Sequence, residues 1–432
     1  MKSNFQIIVL VVFIVFAIFG VLVFSGTIPI GDNGEPGSLG TVTLWGTVKS
    51  EAMIPILEEF NLANPTFILK YVQKSTDSFD QDLLEALAEG RGPDIVFMTD
   101  ELAFHYNNKI FTIPFASYPL ASFKNNFASA GEVFLTSKGI MAFPISIDPL
   151  VLYYNRSILD ANGVVYPPVY WDEVSLLIPT LTKKDDSNRI SKSTIALGHF
   201  SNIAHAKDII STLFMQAGSS IVAEKSGIFS SSLDVPGRQD NPSASLKFYT
   251  DFADPNSESY SWNKSFSNSR DSFSKGDLAF YIGYASELSS LINKNPNQNF
   301  GVAPLPQKRN ANFKLTGAHI TGVSLLSSSK NFSTALTAAS LIATSNFASK
   351  FATIFGVAPA RRDLLAVKKA DDSFMPTVYN SALFGKSWLD PSPKDTDVIF
   401  RLMVDGVLSN SITPDNAVSD ADSRLNILLL QP

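Results

Sequence analysis

Residues 41–104 read TVTLWGTVKSEAMIPILEEFNLANPTFILKYVQKSTDSFDQDLLEALAEGRGPDIVFMTDELAF, and this stretch decides the fold. Residues 41–45 alternate apolar and polar side chains, as a half-buried strand does. Met53, Ile56, Leu57 and Phe60 then recur at i, i+3, i+4 and i+7, the apolar stripe of a helix that Asn64-Pro65 closes. Residues 67–71 read as a second strand, and Phe79, Leu83, Leu84 and Leu87 mark a second helix. Gly92-Pro93 leads into the apolar strand 94–97. Strand, helix, strand, helix, strand predicts an α/β fold on a mostly parallel sheet. The same grammar continues downstream, with strands at 140–144, 151–154 and 278–282 and helices at 245–252 and 334–351, and no internal repeat is present.

Upstream, Lys2 precedes an uncharged run of Ile, Val, Leu, Phe, Ala and one Gly over residues 7–24, long enough to cross a bilayer core. A cleaved secretion signal has a shorter apolar stretch and a small-x-small site, which Val23-Phe24-Ser25-Gly26 fits poorly. Residues 1–25 therefore read as an uncleaved membrane anchor, with a signal peptide as the alternative. Lys2 on the short side puts the remainder outside the cytoplasm. Residues 26–39, rich in Gly, Pro and acidic side chains, read as a flexible spacer because they cannot bury enough apolar surface to fold.

With 45% hydrophobic and 17% charged residues, the chain of 432 residues has room for two ordinary cores. Its formal net charge of -6 offers no basic field to phosphate backbones, so nucleic acid is not expected as a partner. The chain has no cysteine for a disulfide, a thiolate metal site, a nucleophile or a lipid anchor. Histidines at 105, 199, 205 and 319 show neither HxxxH nor HExxH spacing, and no GxSxG elbow, P-loop or GxGxxG follows a strand. No cofactor, metal or enzymatic activity is expected. A glycosidase pair among the 40 acidic residues is the lesser alternative.

Ligands of open α/β sheets sit beyond the carboxyl ends of the strands. Trp45, residues 98–101 with Asp100, Asp148 and Tyr284 all fall at such places. Trp262 lies in a polar loop, where an exposed tryptophan calls for a reason.

The phrases in which these residues occur carry a resemblance. They are TLWGTVKSEAMIPILEEFNLANP, GRGPDIVFMTDELAF, FPISIDPLVLYYNRSILDANGV with PPVYWDEV, FSKGDLAFYIGY with FGVAPLP, GAHITGVSLLSSSKN and GVAPARRDLL. In this order and spacing the chain resembles the extracellular solute-binding proteins of ABC transporters, in the cluster that includes maltodextrin-binding protein. The resemblance implies a two-lobed fold of the periplasmic-binding-protein type II, one lobe from 40–147 with 283–328 and the other from 148–282 with 329–432. It implies chain crossings near 146–150, 282–286 and 327–331, closure by a hinge, and a monomeric receptor. The implied partners are a mono- or oligosaccharide and the permease subunits of a transporter. A tethered sensor or adhesion module of the same fold is the other functional reading. Two departures stand out: the cysteine that carries a lipid in many members is absent, and the aromatic-rich C-terminal segment is thinned to Trp388 and Phe400 around Asp395 and Asp397.

A sugar offers C–H patches on its faces and hydroxyls at its rim, so its receptor needs flat aromatic rings and in-plane acceptors and donors. The resemblance places Asp100 and Asp148 as ligand-facing acids and Tyr284 as a stacking ring. It puts His205 and His319 in segments that face the cleft, Arg361 and Arg362 after the GVAP signature, and Trp388 on the second lobe. Trp45 is equally a core residue, and Tyr153-Tyr154-Asn155 reads as framework more than as contact.

Overall fold

The computed structural model describes residues 39–187, 189–235, 242–367 and 372–430; the expected anchor at 1–25 and nearly all of the expected spacer lie outside them. Among the described residues no helix is long and apolar enough to cross a membrane. They fall into two compact units, one running to Ile95 and taking in Ser328–Ala338, the other holding Val96–Ser327 and the chain from Ala339 onward.

The first unit is built from β1 (Thr41–Gly46), α1 (Ser50–Ala63), β2 (Ile68–Gln73) and α2 (Phe79–Ala88). β1 and β2 pair in parallel, with Thr41 opposite Ile68 and Gly46 opposite Gln73. The helical stripe read from the sequence is the buried one, since Met53, Ile56 and Phe60 are covered. Each such side chain stabilises the unit by about 1.5–3 kcal/mol. The Asn61 side chain clamps α1 to β2 by accepting from Leu69 N at 2.8 Å and donating to Leu69 O at 3.1 Å. Asp94 ties in the later segment, accepting from Thr43 N at 2.8 Å and from Ser329 Oγ at 2.6 Å.

In the second unit the sheet runs β3 (Ile95–Thr99), β8 (Thr316–Leu325), β4 (Phe143–Asn155), β6 (Leu278–Tyr284), β5 (Ile190–Ile195). β7 (Phe300–Pro304) also pairs with β4, and β9 (Gly385–Lys386) pairs in parallel with the start of β8. The sheet is mixed rather than mostly parallel: β4 runs antiparallel to β6, β7 and β8, while β6 and β5 are parallel. Of the strands expected at 140–144 and 151–154, residues 143–144 of the first and all of the second lie in the single strand β4, while Gly139–Ile140 forms a separate short strand. Proline removes a ladder donor, and β4 contains two prolines, Pro144 and Pro149. The register shift between Thr321 and Gly322, opposite Pro144, lets the strand continue through the first of them.

Three helices bear on the site: α3 (Asp100–Ala103), α4 (Ala206–Gln216) and α5 (Pro393–Leu408). A side chain at Gly317 on β8 would run into Thr212 Oγ1 on α4, so glycine is what lets helix and strand approach this closely. Tyr153, fully buried, packs among Phe273, Tyr281 and Phe300 at centroid distances of 6.4, 5.9 and 6.1 Å. The Asn155 side chain accepts from Ile158 N at 3.1 Å and caps the next helix. The Tyr-Tyr-Asn phrase thus contributes framework.

Candidate ligand-binding site

β3 ends at Thr99, so Asp100 opens α3 at the sheet's carboxyl edge. Its buried carboxylate accepts from Ile320 N at 2.9 Å, from His319 Nδ1 at 3.1 Å and from the Ser387 hydroxyl. Ser387 follows β9, whose pairing with Thr316 and Gly317 brings residues 386–388 beside His319. Burial opposes a charged imidazole at His319, but Asp100, Asp208 and Glu101 outweigh it and push its pKa up to about 10. His319 is therefore a cation at neutral pH.

The Tyr284 ring lies between two histidines. His319 stacks on it at 4.5 Å and 29°, and His205 meets it edge-on at 4.8 Å and 78°. The Tyr153 hydroxyl donates to Tyr284 O at 2.8 Å and fixes the end of β6. His205 takes a left-handed φ of 58° at the start of α4, a conformation that histidine adopts more readily than most residues. Its Nε2 lies 2.6 Å from Glu287 Oε1. Burial works against the Glu287 carboxylate, yet bonds with His205, Tyr281 and Tyr284 N hold it below the usual range.

α4 supplies one wall, with Lys207, Asp208, Ser211, Thr212 and Met215. Their spacing of i, i+1, i+4, i+5 and i+8 puts them on one side of the helix. Lys207 Nζ pairs with Asp390 Oδ2 at 2.6 Å, and Thr396 Oγ1 and Ser392 N also donate to Asp390, at 2.8 and 3.0 Å. Burial lowers the Lys207 pKa and Asp390 more than restores it. Trp388, half-buried and roughly parallel to Phe400 at 6.3 Å, faces the same hollow. The free volume left inside is about 20 Å³, room for roughly one water.

Four of the expected residues, Asp100, Tyr284, His319 and Trp388, line this one hollow. Asp148 sits directly opposite His319 in the β4–β8 ladder, and its Oδ1 accepts from Ser286 N at 3.0 Å. Burial pushes its carboxyl up to about 6 against the pull of the Ser286 bonds and His319.

Three residues are elsewhere. Trp45 is buried in the first unit with Lys74 Nζ 3.9 Å from its ring. Arg361 forms a two-pronged pair with Asp363 at 2.9 and 3.0 Å and does not line the hollow. The expected exposure of Trp262 is corrected: it is 0% exposed, stacked on Phe266 at 4.4 Å, with Nε1 donating to Asn202 at 3.1 Å. The surrounding serines and asparagines form the local bonds that let a polar stretch fold over it. Missing from the sequence reading are Lys207, Asp208, Ser211, Ser387 and Asp390. The signal was two adjacent charges opening the otherwise weakly charged helix AKDIISTLFMQ. Among the described residues, no group of three or more His, Cys, Asp or Glu is placed to hold a metal ion.

Comparison with known proteins gives a family and a fold. A family model described as bacterial extracellular solute-binding protein matches residues 46–344. No curated protein sequence matches significantly. Among solved structures, a cyclo/maltodextrin-binding protein complexed with maltotetraose aligns at 16% identity and TM-score 0.72, covering 93% of this chain and 99% of that one. The cyclic α-maltosyl-1,6-maltose binding protein from Arthrobacter globiformis aligns at 15% identity and TM-score 0.74, covering 91% and 99%. UgpB from Mycobacterium tuberculosis in complex with glycerophosphocholine aligns at 16% identity and TM-score 0.69, covering 91% and 99%.

Proposed function

The chain belongs to the bacterial extracellular solute-binding protein family, and from that membership we propose that it is the carbohydrate receptor of an ABC transporter. The observation that carries this reading is the convergence on one hollow of two aromatic rings, Tyr284 and Trp388, with carboxylates from Glu101 and Asp208. Rings meet the C–H faces of a sugar, and carboxylates accept hydrogen bonds from its hydroxyls. Structural neighbours crystallised with maltotetraose and maltose accord with this chemistry.

With about 20 Å³ inside, the walls must part to admit a sugar ring. The lobes we propose, 40–147 with 283–328 and 148–282 with 329–432, each contribute walls: Asp100, Glu101 and His319 from one, Lys207, Asp208 and Trp388 from the other. Ligand stabilises the closed form by binding it better than the open one, and the permease reads the closed outer surface. The apolar run at 7–24 anchors the receptor at the outer face of the cell membrane and keeps it concentrated near its permease. The protein acts as a monomer and binds its ligand without transforming it.

A thermal-shift screen of the full chain against mono- and oligosaccharides, polyamines and short peptides tests the assignment, since a ligand of the folded state raises the midpoint by mass action. Stabilisation by one or more saccharides is expected. Stabilisation by peptides alone would remove the carbohydrate assignment.

A further inference from the structure

The hydrogen-bonding inventory of the hollow narrows the ligand, on the premise that the carbohydrate reading holds. Lys207 Nζ is engaged by Asp390, Thr396 and the Pro393 carbonyl at 2.6, 3.3 and 3.4 Å. Asp390 is filled by Lys207, Thr396 and Ser392 N. Asp100 is filled by His319, Ile320 N and Ser387. Two carboxylates remain. Glu101 and Asp208 line the same space and accept no side-chain hydrogen bond among the described residues; Asp208 has His205 Nδ1 and His319 Nε2 nearby, each 3.9 Å away.

An independent observation points the same way. Ser211 lines this hollow, is 1% exposed, and its Oγ has no hydrogen-bond partner among the described residues. A buried hydroxyl left unpaired carries a desolvation cost that a bound group would recover. Charge adds a third constraint. Asp100, Glu101, Asp208 and Asp390 face Lys207 and His319 inside the hollow, and Lys386 is exposed at its rim. Neutral hydroxyls would satisfy the free acceptors but leave the excess negative charge half-buried.

We propose that the site selects a carbohydrate bearing a protonated amine, with the ammonium against the Trp388 ring and donating to Glu101, Asp208 and the Ser211 hydroxyl. Such a cation gains from the aromatic face as well as from the carboxylates. The field already holds one cation in this place, since the same acids keep His319 protonated. Burial raises the Glu101 carboxyl, and an adjacent ammonium would return it to the ionised form.

Titration calorimetry of the full chain at neutral pH with glucosamine, N-acetylglucosamine, glucose and spermidine separates the cases. Glucosamine is expected to bind about tenfold more tightly than its N-acetyl and hydroxyl counterparts. That margin should fall below about threefold in Glu101→Gln/Asp208→Asn, with a cooperative melting transition as the sign that the variant folds. Equal or tighter binding of N-acetylglucosamine or glucose overturns the amine proposal and leaves the carbohydrate reading standing. Binding of spermidine with none of the sugars ends the carbohydrate reading and the proposal with it. No binding by any of the four overturns the proposal.

Discussion

Two hollows meet at residues 386–388, and they differ in kind as well as in size. The one lined by Phe229, Phe313, Leu315, Phe384 and Trp388 has about 650 Å³ of free volume, within the usual range for ligand pockets. The one holding Asp100, Lys207, Asp208, Tyr284 and His319 has about 20 Å³. Yet the acids of the larger are matched by their own neighbours, Glu132 with Lys124 at 3.3 Å and Glu224 with the Ser137 hydroxyl at 2.7 Å. In the smaller, among the described residues, the side chains of Glu101 and Asp208 accept no hydrogen bond and Ser211 Oγ has no partner, although two histidine nitrogens lie 3.9 Å from Asp208. Volume reports how far apart the walls stand, whereas unmet polar groups report what the walls are suited to hold.

The comparison breaks most visibly in stability. Asp100→Ala strands the His319 cation, Ile320 N and Ser387 together, so equilibrium denaturation should show a loss of about 3 kcal/mol. Phe313→Ala, at a 49% exposed position of the larger hollow, should stay within about 0.5 kcal/mol of wild type. Equal losses would erase the distinction between the two. In binding, Tyr284→Ala should weaken the best saccharide by roughly 30-fold, the effect of removing an aromatic anchor. Unchanged affinity by calorimetry would take Tyr284 out of the site.

Smaller effects appear in the pH dependence of the melting midpoint. His319 has a folded pKa above its unfolded value, so its stabilisation is full below about 6.5 and is lost as pH rises towards about 10. His319→Gln should flatten that alkaline decline. Asp148 is also raised, from 3.8 to about 6, and a raised acid favours the folded state only while protonated. Its contribution therefore fades as pH rises between those values, and Asp148→Asn should remove this slope. A slope of opposite sign would contradict the carboxylate field assigned to His319 in the alkaline window and the burial assigned to Asp148 in the acid one.

Much of the fold was legible because periodicity is a local signal. The α1 stripe Met53, Ile56 and Phe60 and the strand–helix alternation of residues 41–97 needed no tertiary information. β4 was read as two strands because nothing local marks residues 145–150 as extended; their pairing with β8, far along the chain, is what continues the strand. Of the site, Asp100, Tyr284, His319 and Trp388 could be named from strand ends and from family phrases. Lys207, Asp208 and Ser211 could not, because a helix carries no mark of which side meets a hollow until its neighbours are in place. Trp262 was misjudged because the polarity of the surrounding residues says nothing about where a ring points once Asn202 bonds to it.

The most direct test uses the tryptophans themselves. Of the four in the chain, Trp388 lines the small hollow, while Trp45, Trp171 and Trp262 are buried away from it. Intrinsic fluorescence should change on addition of the saccharide that gives the largest thermal shift. The change should vanish in Trp388→Phe and persist in Trp45→Phe and Trp262→Phe. A signal that survives Trp388→Phe and disappears with either of the other two would place the ligand somewhere else.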